Sequence, residues 1–115
     1  MAADRPEPGP GPGLMAAEGR LRVYYREHPP RTDWEIIEIA AREGEVWVDL
    51  GLPGTRAAAL IQGPREKMLA ALRGHCPPRS DPAWKVLLMT QDIEIRGLGA
   101  DGKALAAVSC RAAHQ

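Results

Sequence analysis

The chain has no phenylalanine, and its aromatic content rests on three tryptophans and two tyrosines. A core built from it must therefore rely on Ile, Leu, Val, Met and many alanines, which predicts modest volume and close packing. No apolar run reaches the roughly 18 residues that a membrane-spanning helix requires. The N-terminus has no apolar central region of the kind that marks a secretory leader. A soluble, intracellular and cytoplasmic protein is the expectation. Charge of either sign is also lacking in excess: 15 basic side chains balance 15 acidic ones. That argues against a dedicated polyanion binder, while leaving room for a local basic patch. The two cysteines, Cys76 and Cys110, are too few for a disulfide framework or a four-thiolate zinc site. They read as free thiols, because spacing alone cannot place them side by side.

The 115 residues suit one domain. Residues 1–18 open with MAADRPEPGPGPG, a proline- and glycine-rich stretch that cannot bury enough surface to offset chain entropy. They are expected to form a disordered tail, followed by a single domain over 19–111 and a frayed end at 112–115.

The rest is organised around residues 45–74. Val46, Val48 and Leu50 alternate with Trp47 and Asp49, the period of a two-faced strand. Pro53-Gly54 suits a type II turn, and 57–62 return as a second strand. Pro64 then opens a helix whose apolar face is Met68, Leu69 and Leu72, with Gly74 as its stop.

On the N-terminal side, Leu21, Val23 and Tyr25 alternate with Arg20, Arg22, Tyr24 and Arg26, which predicts a first strand over 20–26. Thr32-Asp33-Trp34-Glu35 matches a capping box, so a helix to about residue 43 follows, with Trp34, Ile37 and Ala41 on one stripe and Gly44 ending it. On the C-terminal side, 84–90 read as a strand apolar on both faces. Ile93 and Ile95 alternate with Asp92, Glu94 and Arg96, and Asp101-Gly102 turns the chain into a last strand over 103–110.

The resulting order, β-α-β-β-α-β, predicts an α+β fold: a two-layer α/β sandwich on the ferredoxin-like plan with an extra C-terminal strand or hairpin. Both helices would cover one sheet face. The other would present Arg20, Arg22, Tyr24 and Arg26, with Trp47 beside them.

That face is the candidate binding surface. Guanidinium groups interleaved with aromatics stack on bases and grip phosphates, so an RNA-binding sheet is one alternative. Cross-strand pairing with Asp49, Asp92 and Glu94 is the structural counterpart. Metal ligation is not expected, because His28, His75 and His114 lack paired spacing. Nor is a cofactor: the glycines at 97–102 precede a strand, whereas a phosphate cradle needs a helix N-terminus. Cys76, just after a helix, is poorly placed for nucleophilic activation. Glu27, His28 and Asp33 gather at a strand–helix junction and keep a small cofactor-independent enzyme open as a second alternative. The first reading is a non-enzymatic binding or regulatory module that acts through protein contacts and self-associates as a homodimer through its sheet.

Overall fold

The computed structural model describes residues 11–30, 34–51, 59–60 and 62–114. Helix α1 spans Pro12–Glu27, and strands β1 (Glu35–Arg42) and β2 (Glu45–Gly51) follow. Helix α2 (Arg65–Arg73) and the single turn α3 (Pro82–Lys85) lead to β3 (Asp92–Leu98) and β4 (Ala104–Ser109). A last turn, α4, covers Cys110–Ala113.

The fold is α+β, and its four strands lie in chain order, β1-β2-β3-β4. β1 and β2 form an antiparallel hairpin, as do β3 and β4, and the hairpins join through a parallel β2–β3 seam that pairs Val48 with Ile95. Both hairpin connections use a glycine with positive φ, Gly44 at 83° and Gly102 at 81°, a backbone state that other residues adopt only with strain.

This arrangement corrects the expected topology. The strand order and helix positions do not follow the ferredoxin-like plan, and two N-terminal elements exchange identity. Residues 20–26 are helix rather than strand. Their buried members, Leu21 and Tyr25, continue a series begun by Leu14 and Ala17, spaced three and four apart as a helix face requires. Pro12, inside the stretch expected to be tail, sits in the first turn of α1, where its missing N–H costs nothing. Residues 35–42 are strand rather than helix. A register shift between Ile36 and Glu38 interrupts the alternation and leaves Ile39 buried but Ile37 exposed.

Other expectations fare unevenly. The strand over 45–50, the helix ending at Gly74 and the strand through Ile93 and Ile95 form as anticipated. Residues 84–90 do not form a strand. Asp81 caps a short helix by accepting the Ala83 N–H at 2.9 Å, and Leu88 and Met89 end up exposed. The second strand expected over 57–62 does not form: Ala59, Leu60 and Gln62 are helical, in keeping with the helix preference of this alanine-rich run. The turn at Pro53-Gly54 and the capping Thr32 lie outside the described residues. The C-terminal residues expected to fray form α4, which Ser109 caps through the Ala112 N–H; Gln115 is not described.

The core lies between the helices and one sheet face. Val46, Val48, Leu50, Ile93 and Ile95 are fully buried from the strands, and Leu21 and Leu72 meet them from α1 and α2. α1 also packs against the chain after α3. A Cβ on Gly13 would stand 2.5 Å from the Val86 carbonyl oxygen, so this crossing needs glycine. The Tyr25 hydroxyl donates to the buried His75 carbonyl and ties α1 to the end of α2.

The cysteines are not free thiols. Cys76, just beyond α2, and Cys110, at the start of α4, form a disulfide.

Candidate functional sites

The structure separates the residues of the expected binding face. Arg20, Arg22, Tyr24 and Arg26 belong to α1, on the core side of the sheet, whereas Trp47 points from the opposite face of β2. Arg22 is engaged locally: it donates to the Ile39 carbonyl and lies 3.5 Å from Glu18. Glu18 in turn accepts the Ala41 N–H at 2.8 Å, so this pair docks α1 onto β1. Arg26 is exposed in the last turn of α1.

Trp47 occupies the middle of the sheet face opposite the described helices. Its indole N–H donates to Glu45. The Arg96 guanidinium lies 4.0 Å from its ring centroid, and that of Arg42 lies 4.9 Å away. Carboxylates surround the group: pairing puts Glu94 opposite Trp47, Arg96 opposite Asp49, and Glu38 opposite Asp49 on the other side. Burial raises the pKa of both Asp49 and Glu94; Arg96 opposes the rise, while neighbouring carboxylates add to it. With Glu38, Glu45, Asp49, Asp92 and Glu94 set against Arg42 and Arg96, this face repels a polyanion.

Arg20 and Tyr24 instead line a groove of about 630 Å³ between α1 and the start of α3, together with Glu27, His28 and Asp81. The imidazole of His28 stacks on Tyr24 with ring centroids 4.6 Å apart. Its Nδ1 lies 3.2 Å from the Tyr24 carbonyl. Burial, and secondarily Asp81, raises the Tyr24 hydroxyl pKa. Among the described residues, no hydrogen bond links His28 to a carboxylate, which an acid–base pair of this kind would use to orient the ring. Asp33, the other expected participant, is not among the described residues.

The two sheet edges differ. The β1 edge carries Glu35, Glu38 and Arg42 and a register shift. The β4 edge reads Ala-Leu-Ala-Ala-Val-Ser, with no charge and no proline. Natural sheets guard exposed edges with charge, proline or bulges. Both edge strands carry a register shift, at Ile37 in β1 and at Leu105 in β4, so the edges differ in charge: β1 is guarded by it and β4 is not. Sequence reasoning missed this edge, although the uncharged run 104–109 was the signal for it.

Comparison with family models, curated proteins and solved structures finds no match. Among the described residues, no helix is long and apolar enough to cross a membrane, and no three His, Cys, Asp or Glu side chains gather in a group suited to a metal ion.

Proposed function

We propose that the protein is a small non-enzymatic binding module that self-associates by pairing β4 with β4 of a second copy. The uncharged, proline-free β4 edge is the observation that carries this reading. An antiparallel β4–β4 contact about a two-fold axis continues the sheet through both copies and satisfies backbone groups that the edge leaves unpaired. The Trp47 face is a poorer candidate for self-association, because two copies would bring their carboxylates together.

Light scattering after size-exclusion chromatography, over a range of concentrations, tests the proposal. A mass near twice the 12.5 kDa chain is expected. The double variant Leu105→Lys/Ala107→Lys, at exposed positions, sets like charges against each other across the axis and should run as a monomer with unchanged circular dichroism. A wild-type chain that stays monomeric at every concentration would overturn the reading.

The enzyme alternative draws its support from the groove that gathers Arg20, Tyr24, Glu27, His28 and Asp81. The RNA alternative has less support, since its arginines and Trp47 stand on opposite sides of the sheet. The cytoplasmic placement has the disulfide against it, because cytosolic thiols are held reduced.

A further inference from the structure

A second cavity, of about 420 Å³, is lined by Arg79, Trp84, Leu87, Met89, Arg111 and His114. Its walls come from two segments that the disulfide fastens together: Arg79 and Trp84 follow Cys76, and Arg111 and His114 follow Cys110. Additional bonds hold the walls in place. Both the Trp84 indole N–H and His114 Nε2 approach the Pro77 carbonyl, at 3.3 and 2.9 Å. Arg111 donates from Nε to Gln91 at 2.8 Å and from Nη2 to Leu88 at 3.1 Å, with its guanidinium 5.1 Å from the Trp84 ring centroid.

The electrostatics are one-sided. Neither Arg79 nor Arg111 forms an ion pair among the described residues, although every other element of the cavity is neutral or imidazole. Among the described residues, the one bond from the Arg79 guanidinium is a long one, 3.4 Å, to the His114 carbonyl. Arg111 is committed through two nitrogens, and among the described residues its Nη1 takes no partner. The Asp92 carboxylate lies behind Arg111, where it accepts the backbone N–H at 3.0 Å, and among the same residues the guanidinium groups themselves are left unpaired toward the cavity. Two such guanidinium groups favour an anion, and the indole, Leu87 and Met89 favour an apolar, flat body next to it.

We propose that this cavity binds a small aromatic carboxylate, with the carboxylate between Arg79 and Arg111 and the ring against Trp84 and Leu87. Arg79 supplies the open fork, and Arg111, already fixed by two carbonyls, supplies a preorganised third donor. The disulfide keeps the two cationic walls facing each other, against their mutual repulsion.

The test titrates the oxidised full-length protein with 1-naphthoate. Calorimetry measures affinity, and the Trp84 indole N–H resonance reports the location. A Kd of about 1 mM or tighter is expected for a ligand of this size. Arg79→Gln removes an exposed side chain, so the fold should persist, and binding should weaken at least about tenfold for the lost charged fork. The neutral 1-naphthamide should bind at least about tenfold more weakly on the same ground. Three results would overturn the proposal: no shift of the Trp84 signal at saturating ligand, equal binding by R79Q or the amide, or inorganic phosphate binding as tightly as naphthoate, which would mark a bare anion site.

Discussion

Arg96 serves Trp47 and Asp49 at once: its guanidinium carbon lies 4.0 Å from the indole centroid and its Nε lies 3.4 Å from Asp49 Oδ1. The geometry at Asp49 is that of an ion pair, since no hydrogen bond reaches this buried oxygen among the described residues. One arginine thus covers an aromatic ring and offsets part of a carboxylate cluster. The offset is incomplete, because the pKa of Asp49 and that of Glu94 are still raised.

Glu94 therefore weakens the fold at neutral pH. Its carboxyl binds a proton more tightly in the folded chain than in the unfolded one, because burial and Glu45 disfavour its charge. The cost is complete above the folded pKa and absent below the unfolded pKa. Glu94→Gln should raise stability at pH 7 by a few tenths of a kcal/mol, a figure kept small by solvent screening at a partly exposed site. The gain should vanish as pH falls to about 4 and below. Urea midpoints at both pH values check the sign; a variant less stable at pH 7 would contradict it.

Reduction of Cys76–Cys110 should cost about 4 kcal/mol, the chain-entropy value for a loop closed across a sequence separation of 34. The comparison is urea unfolding with and without dithiothreitol, alongside Cys76→Ala/Cys110→Ala. Identical midpoints would show that the two segments hold together without the bond.

Tyr25→Phe should destabilise by about 1–2 kcal/mol. The ring stays in the core, but the buried His75 carbonyl loses the hydroxyl that donates to it. Thermal melts of the two proteins measure the difference, and an unchanged melt would mean that another donor replaces the hydroxyl.

Regular patterns were legible in the sequence and interrupted ones were not. β2 and β3 show their alternation directly, with Val46, Val48, Ile93 and Ile95 buried in turn. α2 announces both of its ends. α1 was hidden because the proline- and glycine-rich start drew attention from Leu14 and Ala17, and the remaining half, Leu21 to Tyr25, alternates well enough to pass for a strand. β1 was hidden because its register shift breaks the period of two, so that Trp34, Ile37 and Ala41 imitate a helix stripe. Three β-branched isoleucines at 36, 37 and 39 pointed to strand. The sites were less legible still. Arg79, Trp84 and Arg111 meet only because the topology returns the end of β4 to the chain beyond α2, which no local spacing encodes.

The parallel seam also sets the order in which the sheet can assemble. Each hairpin closes over a short connection, whereas the seam must bring Val46 to Ile93 and Val48 to Ile95 across the whole α2–α3 crossover. Closing that long loop is the slow search in folding. The disulfide leaves this search almost as long, because it links Cys76 to Cys110 and so encloses β3 and β4 while β2 stays outside its loop. Oxidation thus stabilises the finished fold by slowing its unfolding, with little effect on how fast the two hairpins find each other.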